Sequence, residues 1–189
     1  MNLRLFLAIE IPEQLKHEIF EKFSKKISSN NAKIVPQKNI HFTLKFLGHL
    51  PEEKVQELVE SLKEIEKFHE FKVKLEGIGS FGKNVLWIEG KDKKESGKIV
   101  EKINQLLSLE QEKAFSLHAT IARMKKNGRK EIMELLQKFG KTKLNEKFLV
   151  EEIALMKSDL SKEKPEYAKI HSFKLSSSDT FSSNDSGSK

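Results

Sequence analysis

Two short runs, His41-Phe42-Thr43-Leu44 and His118-Ala119-Thr120-Ile121, constrain this chain more than any other feature of it. In a β-strand, residues i and i+2 point to one face and i+1 and i+3 to the other. His41 and Thr43 therefore share a face, while Phe42, Leu44 and Phe46 share the opposite one. His118 and Thr120 repeat the pattern, with Ala119 and Ile121 behind them. Each run calls for a strand with an apolar back against a core and a polar front turned elsewhere. Two such strands, one in each half of the 189 residues, suggest two related lobes facing each other across a polar cleft.

The flanking sequence fits that plan. Leu3, Leu5, Leu7 and Ile9 alternate with Arg4, Phe6, Ala8 and Glu10, which predicts a strand buried on both faces for most of its length. The same segment lacks a basic start and a small-residue cleavage site, so it reads as a strand and not as a signal peptide. Pro12-Glu13 opens a helix with the stripe Leu15, Ile19, Phe20, Phe23 and Ile27, ended by a polar loop over 28–31. Residues 40–47 form the next strand, closed by Gly48, and Pro51 opens a second helix along Val55, Leu58, Val59, Leu62 and Ile65. Residues 71–76 alternate as a half-exposed strand punctuated by Gly77 and Gly79, residues 85–88 form another, and 90–97 form a charged loop. A third helix carries Ile99, Val100, Ile103, Leu106 and Leu107; a strand covers 115–122; a fourth helix carries Ile132, Leu135, Leu136 and Phe139 and stops at Gly140. Strands over 148–156 and 168–175 complete the pattern.

Strands and helices mix without strict βαβ alternation, which predicts an α+β fold of antiparallel sheets with flanking helices. Residues 1–175 read as one bilobal domain, and 176–189, rich in Ser, Asp, Asn and Gly, as a polar tail expected to be disordered.

The chain has no cysteine, which excludes disulfides, thiolate metal sites and a cysteine nucleophile, and fits a cytoplasmic protein. No apolar run approaches the roughly 18 residues that a membrane helix needs. The formal net charge of +7 suits a polyanionic partner.

The chemistry that wants two histidines and two hydroxyls in one cleft is phosphoryl transfer by general acid–base catalysis. A neutral imidazole takes a proton from the attacking oxygen, and a protonated one gives a proton to the leaving oxygen. Histidine's free pKa of about 6.5 lets both forms exist near neutrality. Thr43 and Thr120 can donate hydrogen bonds to non-bridging phosphate oxygens, whose charge has to be stabilised. No metal is needed for this chemistry, and no carboxylate cluster of the kind a two-metal site requires stands out.

One His-x-Thr-x alone carries little information, but two copies in strand-like runs are specific. The runs His41-Phe42-Thr43-Leu44-Lys45-Phe46-Leu47-Gly48 and His118-Ala119-Thr120-Ile121-Ala122-Arg123 resemble the two signatures of the 2H phosphoesterase superfamily. More narrowly they resemble the RNA 2′,3′-cyclic phosphodiesterase family, also called 2′-5′ RNA ligases, with its LigT-like fold. Arg4-Leu5-Phe6-Leu7-Ala8-Ile9 is similar to the family's opening strand, Gly77-Ile78-Gly79-Ser80-Phe81 and Val85-Leu86-Trp87-Ile88 to its middle, and Ser158-Asp159-Leu160, Tyr167 and Phe173-Lys174-Leu175 to its end. Around the second motif, Leu117 and Ala119 stand where relatives often carry Pro and Val or Ile.

The resemblance implies a metal-independent hydrolase in RNA processing, with no ATP and no other cofactor, that opens RNA 2′,3′-cyclic phosphates to 2′-phosphomonoesters. The reverse reaction would be 2′-5′ ligation. It implies His41 as proton donor to O3′ and His118 as proton acceptor from water; the residues themselves leave these roles open, because the two motifs are nearly symmetrical. The expected partner is RNA with cyclic-phosphate ends, tRNA fragments among them, with no membrane and no obligate protein partner, for an enzyme acting as a monomer.

Other residues are candidates of lower rank. Arg123 matches phosphate bidentately, but strict alternation puts it opposite His118 unless the strand bulges first. Lys45 falls on the His41 face and is a candidate RNA contact. So are Lys125 and Lys126, in a basic cluster with Arg123, Arg129 and Lys130. Trp87, Phe81 and Tyr167 are expected in the core rather than stacked on bases, and His17, His49, His69 and His171 on the surface or in packing. Two rival readings stand beside the enzyme: a non-catalytic RNA-end-binding module, and a phosphodiesterase for 2′-5′-linked oligonucleotides.

Overall fold

The computed structural model describes residues 1–28, 30–110, 115–159 and 165–177. Ser29 of the expected loop, Leu160 of the closing motif and residues 178–189 of the expected tail lie outside the described residues. In chain order the elements are β1 (Asn2–Glu10), α1 (Glu13–Lys22), β2 (Ala32–Ile34), β3 (His41–Pro51) and α2 (Val55–Leu62). They continue with β4 (Phe71–Phe81), β5 (Val85–Lys91), α3 (Glu95–Leu106), β6 (His118–Met124), α4 (Arg129–Phe139), β7 (Lys147–Val150), β8 (Glu152–Asp159) and β9 (Glu166–Lys174). No helix among the described residues is long and apolar enough to cross a membrane.

Two antiparallel sheets result, ordered β3-β1-β8-β9 and β2-β6-β5-β4-β7, with helices flanking them. The expected α+β architecture of two sheets around a cleft is what the chain adopts. The lobes do not divide the chain into halves, however. The first sheet draws its strands from both ends of the chain, and the second takes the middle plus the short β2.

β1 is central to the first sheet and buried along both faces from Leu5 to Ile9. Leu5, Leu7 and Ile9 enter a main core shared by both sheets, with Phe42, Leu75, Ile88, Ile103, Ile121 and Phe173. Phe6 and Ala8 enter a smaller cluster with Ala154 and Met156, against which Tyr167 packs. That double burial is why the strand reads as a nearly continuous apolar run.

β3 lies at the edge of its sheet and packs against β6 of the other. The contact behind them is close. A Cβ on Gly90 of β5 would stand 2.8 Å from Phe42 Cζ and 2.9 Å from Leu117 Cδ2, so only glycine admits that ring. The sheets therefore meet at the backs of the two motif strands.

Several boundaries differ from the sequence expectation. β3 does not close at Gly48 but runs on to Pro51, with a one-residue slip against β1 between Leu5 and Phe6. Residues 148–156 are not one strand: β7 pairs with β4, and β8, after Glu151, pairs with β1 and β9 in the other sheet. β5 extends to Lys91, and the following charged segment is already helical from Glu95. Asp92 starts that helix by accepting hydrogen bonds from the backbone N–H of Lys94 and Ser96 at 2.7 and 2.8 Å. β6 begins at His118 and continues to Met124 rather than covering 115–122. The expected tail starts at 176, whereas Ser176 is tied to Phe68 and Glu70 by two backbone hydrogen bonds beside a bridge to His69.

Of the two glycines in β4, Gly79 has a packing reason. The ring of Trp87 lies across it, and a Cβ there would sit 2.3 Å from the ring edge. Gly79→Ala is expected to cost about 1–3 kcal/mol of stability, because the ring must move out of a packed site. Chemical denaturation checks this. Trp87 is the chain's one tryptophan, so its fluorescence should shift in the folded variant.

Candidate active site

The two histidines are built alike. His41 Nδ1 lies 2.7 Å from the carbonyl oxygen of Asn39, and His118 Nδ1 lies 2.8 Å from that of Ser116. A carbonyl only accepts, so each Nδ1 carries a proton and donates it to the residue two positions back in the chain. Each Nε2 is thereby left as the nitrogen not tied to the backbone. His41 Nε2 is 3.0 Å from Thr43 Oγ1, the partner that strand alternation predicts on the same face. Asn39 is itself buried and fixed, since its side-chain amide donates to the Pro165 carbonyl at 2.7 Å just before β9.

His41, Thr43, His118 and Thr120 line one cleft of about 350 Å³, a size within the range of small-ligand sites. Arg4, Phe6, Asn39, Lys45, Phe46, Phe81, Ser116, Arg123, Ser158 and Tyr167 complete much of its wall.

Each motif strand slips by one residue just past its threonine. In β6 the register against β5 shifts between Thr120 and Ala122, so Thr120 faces Trp87 and Arg123 faces Val85. Trp87 and Val85 are two apart on one strand, and Arg123 therefore returns to the His118 face. This is the bulge its placement in the cleft required. In β3 the shift lies between Thr43 and Lys45: Thr43 pairs with Ala8, Lys45 with Leu7 and Phe46 with Phe6. Phe46 thus stands where Arg123 stands in the other motif. The expectation that Phe46 packs behind the strand is overturned; it is 60 % exposed and faces the cleft. By the same slip Lys45 is in register with Leu7, off the His41 face, although it still borders the cleft.

Aromatic rings hold both imidazoles. Phe6 and Tyr167 lie 5.1 and 5.3 Å from the His41 ring, and Phe81 and Trp87 lie 4.6 and 6.0 Å from the His118 ring. Phe81 and Tyr167 were expected in the core but line the cleft. Lys125 and Lys126 lie outside the cleft wall: the Lys125 ammonium donates to the Asn30 carbonyl, and the Lys126 N–H to the Asn31 side chain. His17, His49, His69 and His171 stand outside it as well.

Arg4 is the functional candidate that sequence reading missed, since there it serves only as part of the opening strand. Its guanidinium lies over the Phe46 ring, 5.9 Å from the centroid. The Tyr167 hydroxyl is raised above its ordinary pKa by burial, against the opposing charges of Arg123 and Arg4. One arginine from each lobe therefore acts on the same hydroxyl.

Residues 9–87 match the family described as LigT like phosphoesterase. The chain is 34 % identical over 176 residues to the RNA 2′,3′-cyclic phosphodiesterase of Methanocaldococcus jannaschii, covering 89 % of this chain and 98 % of that one. It is 33 % identical over 177 residues to the protein of the same name from Aquifex aeolicus, covering 88 % and 90 %. The chain belongs to the LigT-like phosphoesterase family. Its fold superposes on the crystal structure of Escherichia coli LigT complexed with 3′-AMP with a TM-score of 0.77, at 20 % identity over 93 % of this chain and 99 % of that one. A Thermus thermophilus crystal structure aligns with a TM-score of 0.75 at 23 % identity, over 91 % and 97 %.

The pseudo-symmetry of this LigT-like cleft stops at its electrostatics. Burial holds the His41 pKa below its ordinary 6.5, with the Asn39 carbonyl opposing, Lys16 and His118 adding to the lowering and Glu10 resisting it. The folded protein thus keeps His41 neutral at pH values where the unfolded chain protonates it. The corresponding stability is complete above about pH 6.5 and is lost as pH falls from there through the lower folded-state value. The wild type's resistance to denaturant is expected to weaken as pH falls below about 6.5, and to weaken less in His41→Asn. Equal slopes would show that another group carries the effect.

Proposed function

We propose that this protein opens RNA 2′,3′-cyclic phosphate ends to 2′-phosphomonoesters by two-histidine acid–base catalysis. The observation that carries the reading is the mirrored anchoring of His41 and His118 by Nδ1 in one cleft with Thr43, Thr120 and Arg123. The names of the relatives supply the substrate class.

In the proposed step, His118 Nε2 takes a proton from water as its oxygen bonds to phosphorus. The P–O3′ bond breaks, and protonated His41 Nε2 gives its proton to O3′. The 2′-oxygen keeps the phosphate. Thr43 and Thr120 donate to the non-bridging oxygens, and Arg123 holds them bidentately. Burial by itself disfavours the charged form of His41. A bound phosphate anion a few ångströms away opposes that and favours the proton His41 needs as the acid. Run backwards with a 5′-hydroxyl in place of water, the same groups would form a 2′-5′ linkage. Lys45 at the rim, and Lys125 and Lys126 outside it, would draw the RNA backbone to the cleft.

The test is turnover of a defined cyclic-phosphate RNA in the presence of EDTA, with 2′- and 3′-phosphate products resolved. The wild type should give the 2′-phosphate. His41→Ala and His118→Ala should each lose about 10²–10⁴-fold in rate while melting as folded proteins. Undiminished turnover in either variant rules out the mechanism, and binding without product would favour a non-catalytic RNA-end module.

A further inference from the structure

Arg4 of β1, Ser158 of β8 and Tyr167 of β9 are direct register partners across three adjacent strands, and all three line the cleft. They form a polar row on a sheet whose next row begins with the apolar Phe6 and Met156 and ends with Lys169, which pairs with Glu10 and Glu152. The row is not part of either motif. The Phe6 ring is 5.1 Å from His41 and 6.0 Å from Phe46, and Arg4 lies beyond Phe46. Along β1, Glu10 and Ala8 face His41 and Thr43 whereas Arg4 faces His49, so Arg4 starts from a point displaced along the strand from the first motif. Among the described residues no carboxylate pairs with Arg4, and none lines the cleft wall. A cation with no carboxylate partner among the described residues, held over a phenyl ring, is placed to receive an anion.

The geometry points to a second phosphate subsite: Arg4, stacked on Phe46 and joined by the Tyr167 hydroxyl, takes the backbone phosphate one nucleotide before the cyclic-phosphate end. This rests on the RNA-end reading above and deepens it. A phosphate held between His41 and His118 is served by Thr43, Thr120 and Arg123, and Phe46 replaces in the first motif the arginine that the second supplies. The first lobe therefore draws its arginine from the neighbouring strand, displaced along the cleft from the reacting centre. The exposed Phe46 ring beneath it offers a face for the adjoining base. The consequence is a preference for an RNA chain over a mononucleotide, set by Arg4.

Three substrates test this: adenosine 2′,3′-cyclic phosphate, the ApA dinucleotide ending in a 2′,3′-cyclic phosphate, and that dinucleotide with a neutral methylphosphonate as its internal link. The wild type is expected to favour the charged dinucleotide in kcat/KM by about tenfold over the other two, the order of one charge-assisted contact. Arg4→Met should abolish the preference, and Arg4→Lys should restore part of it. Equal losses on all three substrates would place Arg4 at the reacting phosphate or in the fold, and a preference that survives in Arg4→Met would put the contact elsewhere; either overturns the subsite. If the wild type turns over none of the three, the catalytic reading fails separately. Calorimetric binding of the dinucleotide 2′-phosphate, with charged and neutral links, to wild type and Arg4→Met then decides the subsite by the same differences.

Discussion

The packing of Phe42 against Gly90 and Leu117 is the contact on which the cleft depends. Phe42 lies between His41 and Thr43 in sequence and points the opposite way, into the seam where the edge strand β3 meets the other sheet. Gly90 belongs to β5, which pairs with β6, and its N–H donates to the Leu117 carbonyl one residue before His118. The ring thus joins the back of one motif to the entry of the other. Apolar burial behind the strands sets the spacing of the polar groups in front, and a large-to-small change there would loosen the site and the fold together.

The site repeats its mechanical parts and varies its electrical ones. Nδ1 anchoring to a carbonyl, a pair of flanking rings, a threonine two residues on and a one-residue slip occur in both lobes. These fix tautomer, tilt and aim. The residue presented after the slip differs, Phe46 in one strand and Arg123 in the other, and burial shifts His41 downward. The proposed acid and base are made from the same side chain and would need different surroundings, a difference this arrangement would supply while preserving the geometry.

The sequence made the repeated core of the site legible because strand alternation is a strict rule. His41, Thr43, His118 and Thr120 follow from it, and they do line one cleft. Arg123 and Phe46 show where the rule fails. A single extra residue reverses every later side chain, and nothing in Leu44-Lys45 or Ile121-Ala122 announces one by composition. The likeness of the two motifs held the usable signal: once Arg123 is allowed to bulge into the cleft, the sixth residue of the first run, Phe46, should follow it. The break at Glu151 was visible only as two adjacent glutamates in an apolar run; which sheet takes each side is a tertiary matter. β2 is three residues long and owes its pairing to the exposed edge of β6. Arg4 was hidden by its own strand, whose burial pattern explains every neighbour without assigning the one cation a task.

The interleaved topology ties all of this to a single folding event. The first sheet cannot be completed until β8 and β9 join β1 and β3, and the second uses β2 from the segment between β1 and β3. Neither lobe is a contiguous piece of chain, so neither has a sheet that closes from local sequence. Contacts of long sequence separation are slow to form and leave strand edges open meanwhile. β3 carries the hazard most directly, being an edge strand with an apolar face. Its docking against β6 buries that face and creates the cleft in the same step. The wall of the cleft is thus also the seam that joins the two sheets.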